Sequence, residues 1–151
     1  MPAAGWDRLV LPARLRDRML DHARECLPEE CCGILIGSET TAGRRRVADA
    51  VAARNVNPSA RERAYRVSPR AILEAFQTAR SAGLEIVGYY HSHPSGSARP
   101  SAVDLRDAWP DTSYVILAFQ SAELWEMRSW RLVPEGTGFV EETLTYERDS
   151  R

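Results

Sequence analysis

A chain of 151 residues is the length of one ordinary domain, long enough to bury about two-thirds of the surface its unfolded form exposes, so a single core over residues 1–151 is the expectation. Apolar and charged fractions of 44% and 27% are those of a soluble globular protein, and no apolar run approaches a bilayer span. A formal net charge of -1 gives no reason to expect a nucleic-acid or membrane partner, and the absence of lysine removes Schiff-base and Walker-type chemistry.

The N-terminal MPAAGWDRLVLPARLRDR has no basic segment followed by an apolar core, so no signal peptide is expected and the cytoplasm is the expected location. Leu9 to Leu11 form a short apolar strand. Pro12 sits where a helix begins, and Leu15, Met19, Ala23 and Cys26 mark one face of an amphipathic helix ending near Leu27-Pro28. His22 on that helix reads as a surface residue. Cys26, Cys31 and Cys32 cannot all pair, which argues against a disulfide framework and for a reducing compartment.

CCGILIG, residues 31–37, is a nearly continuous apolar run stopped by Gly37 and Ser38, as suits a central strand buried on both faces. RRVADAVAAR, 45–54, is a second strand whose alanines leave helix open, and the Arg44, Arg45, Arg46 cluster reads as a solvated turn or strand edge. NVNPSARERA, 55–64, is loop. Pro69 opens a helix with Ala71, Leu73, Phe76, Ala79 and Ala82 available to a core face and Gly83 ending it.

LEIVGYYHS, 84–92, is a strand rich in β-favouring residues, followed by a loop of small residues and a short helix. SYVILAF, LWEMRSWRLV and GFVEETLTYE are three further strands, and fraying is expected from about residue 147. Helices interleaved with strands early and strands in succession late predict an α+β domain, a mixed central β-sheet flanked by helices.

The chemistry gathers in YYHSHPSGSARPSAVDL, Tyr89 to Leu105. Side chains alternate across a strand, so His91 and His93 point to one side while Ser92 points away. Asp104, returned by the loop, completes two imidazoles and a carboxylate, a set suited to catalytic zinc with a position left for water. Ser101-Ala102-Val103-Asp104 after Pro100 is equally an ordinary helix start, with Ser101 as N-cap and the acid near the positive end of the helix dipole. Spacing alone leaves both readings open. Glu30, at the mouth of an apolar strand, needs a partner if it is buried, though it also reads as a solvated loop acid like Glu29. A thiol nucleophile at Cys31 or Cys32 with a histidine base is a rival, but alternation lets at most one of the two approach the histidines.

PEECCGILIG and GYYHSHPSGSARPSAVD together resemble the JAMM, or MPN-plus, zinc metallopeptidases, whose pattern is an upstream Glu, His-x-His, ten residues and Asp, with a Ser three before the Asp. The chain fits that pattern at Glu30, His91, His93, Ser101 and Asp104. DLRDAWPDTSYVIL and RSWRL look like the small bacterial branch that acts on sulfur-carrier proteins, so the resemblance runs from Leu15 to Val133. It implies a cytidine-deaminase-like JAMM/MPN fold and one Zn²⁺ per chain held by His91, His93 and Asp104. It further implies Glu30 as general base and then acid, and Ser101 as donor to the oxyanion. The implied substrate is the amide bond after the C-terminal Gly-Gly of a ubiquitin-like or sulfur-carrier protein, with cysteine released. Tyr89, Tyr90 and Trp109 flank the motif as candidate cleft walls. Two other classes remain: a RadC-type DNA-associated protein, which HSHPSG also resembles, and a catalytically silent MPN interaction module.

Overall fold

The computed structural model describes residues 8–40, 43–121, 123–133 and 135–149; what was expected of residues 1–7 and of Ser150 and Arg151 lies outside them. Among the described residues the elements are β1 (Arg8–Pro12), α1 (Ala13–Cys26), β2 (Cys32–Thr40), β3 (Arg44–Ala53), α2 (Pro69–Ser81), β4 (Glu85–His93), α3 (Ala102–Arg106), β5 (Ser113–Phe119), β6 (Trp125–Leu132) and β7 (Phe139–Glu147). This is the order that periodicity predicts. β2 runs past the expected stop at Gly37 to Thr40, and the chain stays paired as far as Glu147.

The sheet is mixed, as expected, but it closes on itself in the order β1-β3-β2-β4-β5-β6-β7. β1 completes the ring by pairing in parallel with both β3 and β7, Leu9 opposite Leu144 and Val10 opposite Thr145 on the β7 side. Closure follows from residues far apart in sequence, which local patterning does not encode. It also overturns the solvated reading of the arginine cluster. Arg44 is exposed, but Arg45, on the same face of β3 as buried Val47, is 2% exposed. Its guanidinium donates to Ser113 Oγ and to the Asp111 carbonyl (3.2 Å), and Ser113 and Ser129 both bond the buried Glu142 carboxylate of β7. A solvent-facing strand edge in an open sheet is thus a buried charge with polar partners in a closed one.

Each face of the sheet carries one long helix. Leu15, Met19, Leu20 and Ala23 of α1 pack with Leu9, Leu35, Val47, Val87, Tyr90, Val115 and Leu117. At roughly 1.5–3 kcal/mol for each large side chain buried, this is the main source of cohesion. α2 is capped by Ser68, whose Oγ accepts the Ala71 N–H at 3.1 Å, and packs against Cys32, Ile34 and Ile36 on the opposite face. Its buried stripe is Ala75 and Ala79 with Ala71 and Ile72 partly covered; Leu73 and Phe76, expected in the core, are 55% and 50% exposed. Both stripes fit a helical period, and the narrower one of small residues lets the helix backbone approach the sheet. Alternation sends Cys31 into the α1 core and Cys32 into the α2 core. Among the described residues no helix is long and apolar enough to cross a membrane.

One irregularity decides where the histidines point. On β4, Ile86 faces α2 but Tyr90 faces α1, although regular alternation would place them on the same side. Between them the β2–β4 register slips: Leu35 pairs with Gly88 and Ile36 with Ile86, so Val87 has no partner. This bulge at Val87–Gly88 reverses the parity of everything downstream. Gly88 lies where a side chain would strike the Ser113 backbone, its Cβ 2.2 Å from the carbonyl oxygen. Beyond the bulge Tyr89 lies on the α2 side, and His91 and His93 share its parity.

Candidate metal centre

His91 and His93 leave the end of β4 with their Nε2 atoms 3.1 Å apart. Asp104, the third residue of α3 after its cap, brings Oδ2 to 3.2 Å from His91 Nε2 and 3.3 Å from His93 Nε2. Neighbouring donors around a tetrahedral Zn²⁺, with bonds of about 2.0–2.1 Å, stand about 3.3 Å apart. The three atoms are therefore already spaced as corners of a zinc tetrahedron. They are shielded, with side-chain exposures of 1%, 12% and 8% for His91, His93 and Asp104. A Glu30 carboxylate oxygen also lies within 4.8 Å of both imidazoles, and Glu30 is 4% exposed. All four candidates converge, on the α2 side of the sheet.

The surroundings orient each ligand. His93 Nδ1 sits 2.8 Å from the Ser97 carbonyl, which can only accept, so the proton is on Nδ1 and the Nε2 lone pair faces the cluster. The loop carrying Ser97 is itself tied to β6: the Ala98 N–H donates to Glu126 Oε1 at 3.1 Å and Trp130 Nε1 donates to the Ala98 carbonyl at 2.8 Å. His91 is stacked on Tyr65, ring centroids 4.4 Å apart and planes 21° from parallel. Ser101 and Asp104 form a full capping box, Ser101 Oγ accepting the Asp104 N–H at 3.1 Å and Asp104 Oδ2 accepting the Ser101 N–H at 2.8 Å. The helix-start and ligand readings are thus compatible. The carboxylate has lone pairs for both, and the Ser101 hydroxyl serves the cap as acceptor, leaving its O–H free to donate outward.

Charge states follow from the same contacts. Burial pushes the His91 pKa down, keeping it neutral, and Asp104 hydrogen bonding offsets this only in part. For His93 burial pulls down, but Asp104 and the Ser97 carbonyl outweigh it and the pKa is raised. Burial would raise Asp104, yet the two imidazoles and the Ser101 N–H hold it well below the usual carboxylate range. Burial lifts Glu30 to about 7, with His93 pulling down and Asp104 pushing up. A carboxylate poised near neutrality beside a metal-ready triad is suited to taking and returning one proton.

Asn55 organises the surroundings of the site, and sequence reasoning missed it. Its amide donates to the carbonyls of Glu30 (3.1 Å), Arg61 (3.3 Å) and Ala64 (3.0 Å), while its Oδ1 accepts the N–H groups of Asn57 and Arg66, both at 3.1 Å. The Glu30 N–H in turn donates to the Arg61 carbonyl at 2.8 Å. One side chain therefore folds the 55–66 loop against Glu30 and delivers Tyr65 to His91. Asn in a turn-rich stretch was the available signal. Tyr65, Tyr89, Trp109 and Tyr114 line an open cavity of about 510 Å³ that reaches Asp104. Of the candidate cleft aromatics, Tyr90 lies elsewhere: it is 1% exposed in the α1 core and its hydroxyl meets His22 Nδ1 at 2.8 Å, so His22 is half-buried rather than a free surface residue.

The thiol alternative does not fit this geometry. Burial pushes the Cys31 and Cys32 thiols up to about 12, so neither forms a thiolate near neutral pH.

The family model described as prokaryotic homologs of the JAB domain matches residues 12–133. The chain is similar to the desampylase of Haloferax volcanii, 40% identical over 114 residues that cover 72% of this chain and 79% of that one. It is similar to the CysO-cysteine peptidase of Mycobacterium tuberculosis, 33% identical over 126 residues that cover 83% of each. Its fold is similar to the solution structure of protein DSY2949 from Desulfitobacterium hafniense, with a TM-score of 0.83 and 30% identity over 93% of this chain and 94% of that one.

Proposed function

This chain belongs to the prokaryotic homologs of the JAB domain, and we propose that it is a zinc-dependent peptidase whose whole length forms one metallopeptidase domain. Its substrate would be the amide bond that follows the C-terminal Gly-Gly of a ubiquitin-like sulfur-carrier protein, and its product would be free cysteine together with the restored carrier tail. The observation that carries the reading is the convergence of His91 Nε2, His93 Nε2 and Asp104 Oδ2 at 3.1–3.3 Å, with the Glu30 carboxylate close by. The three free cysteines suit a reducing cytoplasm.

His91, His93 and Asp104 would hold the ion. Bound Zn²⁺ supplies Lewis acidity and lowers the pKa of water to about 7. Glu30 takes a proton from the attacking water and returns it to the amine that leaves when the C–N bond breaks, so one water is consumed per bond cleaved. The outward O–H of Ser101 donates to the developing oxyanion while its oxygen continues to cap α3. The cavity walled by Tyr65, Tyr89 and Trp109 suits a narrow, extended tail, since a Gly-Gly segment presents backbone with no side chains to clash.

The test uses purified protein with a carrier–cysteine adduct, followed by mass. Expected are one zinc per chain, loss of zinc in His93→Ala, and release of cysteine that falls on the order of 10²–10⁴ in zinc-loaded Glu30→Gln. No release by fully zinc-loaded wild type would reject the substrate, and unchanged turnover in Glu30→Gln would remove Glu30 from the mechanism.

A further inference from the structure

The middle residue of His-x-His points away from the metal side, and its surroundings give it work of its own. Ser92 is 0% exposed and on the opposite face from His91 and His93, so it cannot touch an ion or a substrate. Its hydroxyl oxygen accepts the Cys31 N–H at 2.8 Å, and its own N–H donates to the Cys31 carbonyl at 3.1 Å. The last regular pairing before this point is Cys32 with His91. In an antiparallel ladder a residue that receives an N–H from its partner normally returns one to the partner's main-chain carbonyl. Here only half of that exchange survives. The Cys31 N–H is captured by the Ser92 side chain instead.

Replacing a main-chain acceptor with a side-chain oxygen lets the chain leave the ladder at Cys31 without abandoning a buried donor, which is costly to leave unpaired. The next residue outward is Glu30. Its backbone is then received by the 55–66 loop, its N–H donating to Arg61 and its carbonyl accepting from Asn55. Ser92 is covalently flanked by both histidines, so the bond to Cys31 N–H ties the imidazole pair to the strand end that bears the carboxylate. No other side-chain hydrogen bond recorded among the described residues joins β4 to the 30–31 backbone.

We propose that Ser92 is a positioning residue: through the Cys31 N–H it sets where the Glu30 carboxylate stands relative to the His91–His93 pair. The proposal rests on Glu30 acting as the proton carrier. Alanine at 92 removes the acceptor, and a shift of the general base by an ångström is worth on the order of 10²-fold in turnover.

The experiment compares Ser92→Ala, Ser92→Thr, Glu30→Gln and the Ser92→Ala/Glu30→Gln double variant on the carrier–cysteine adduct, with zinc content and amide exchange measured in parallel. Expected in Ser92→Ala are one zinc per chain, kcat down about 10- to 100-fold, KM within twofold of wild type and faster exchange at the Cys31 amide. Threonine, which keeps the oxygen, is expected to restore kcat. In the Glu30→Gln background the alanine change is expected to have no further effect, because the group it positions no longer takes a proton. Wild-type kcat in zinc-loaded Ser92→Ala would overturn the proposal, as would losses that simply multiply in the double variant. If Ser92→Ala does not fold, Ser92→Cys keeps the bulk with a poor acceptor, and wild-type kcat there, or collapse of both variants, would equally overturn it. A Glu30→Gln variant that turns over normally would instead sink the role of Glu30, a result separate from any of these.

Discussion

Relative to wild type, metal-free Glu30→Gln should gain stability as pH rises through neutral, although the same change lowers the turnover of the zinc-loaded protein. The carboxyl is 4% exposed, its Oε1 has no hydrogen-bond partner, and burial raises its pKa from 4.5 to about 7. Below pH 4.5 the group is protonated both folded and unfolded, and its contribution to stability is fully present. As pH rises towards 7 the unfolded chain has released the proton while the folded chain still holds it, so each step upward favours unfolding; above about 7 the contribution is lost. The gap, at 1.36 kcal/mol per pKa unit, amounts to about 3 kcal/mol. Glutamine cannot titrate, so whatever it costs in packing is constant with pH. Urea denaturation of both proteins in chelator at pH 5 and pH 8 isolates the effect: the stability of Glu30→Gln relative to wild type should improve by about 2–3 kcal/mol between the two, less than the full gap because at pH 5 the unfolded chain has already released most of this proton. Added zinc should shrink the difference, because a cation beside the carboxylate favours its charged form. A wild-type-minus-variant difference that stays flat from pH 5 to 8 would show that the folded protein does not hold this carboxyl protonated, and the poised-base argument would fail with it.

Ser101→Ala should lower kcat about 10²–10³-fold through the oxyanion contact and unfolding stability by only about 1 kcal/mol through the lost cap; a stability loss with unchanged kcat would assign the hydroxyl to capping alone. Asn55→Ala should cost at least 2 kcal/mol, since it strands several carbonyls and N–H groups at once, and proteolytic nicking in the 55–66 loop should accelerate; equal protease resistance would contradict its role as the loop's organiser. Gly33→Ala should destabilise by about 1–3 kcal/mol, because a Cβ there would stand 2.1 Å from Tyr90 Cε1 across the β2–β4 ladder; an unchanged urea midpoint would mean that the Tyr90 ring moves freely.

What the sequence disclosed about the site is what local geometry can carry. His91 and His93 share a side because strand side chains alternate, and Asp104 returns because a capped helix of one turn follows a short loop. Ser101 starts that helix. Even the competition between capping and chemistry was visible at this level, and it dissolves only when the hydroxyl is seen accepting with its lone pair. The interior place of Arg45 is of another kind. It depends on β7 arriving beside β1, a pairing of residues more than a hundred apart, and an arginine triplet looks the same whether or not that happens. Asn55 is similarly opaque: its five partners come from Glu30 at one end and Arg66 at the other, and nothing in NVNP distinguishes such a hub from an ordinary turn. On α2 the sequence reading put Leu73 and Phe76 on the core face, but the face that packs on β2 is Ala75 and Ala79 with Ala71 and Ile72, a stripe of mostly small residues that hydrophobicity alone does not single out.

Which side of the sheet the histidines occupy is the sharpest case. Alternation fixes their agreement with each other but not with the rest of the strand. Counting back by twos from His91 through Tyr89 reaches Val87, a residue of the α1 core. On an unbroken strand both imidazoles would therefore enter the apolar core beneath α1, where a metal would find neither Glu30 nor water. The unpaired Val87 absorbs the mismatch, and Gly88 beside it, tight against Ser113, was the one trace in the sequence: a glycine inside an otherwise β-branched and aromatic run. The same inversion that turns the imidazoles outward turns Ser92 inward, so the metal pair and its proposed tether to Glu30 are two consequences of a single extra residue.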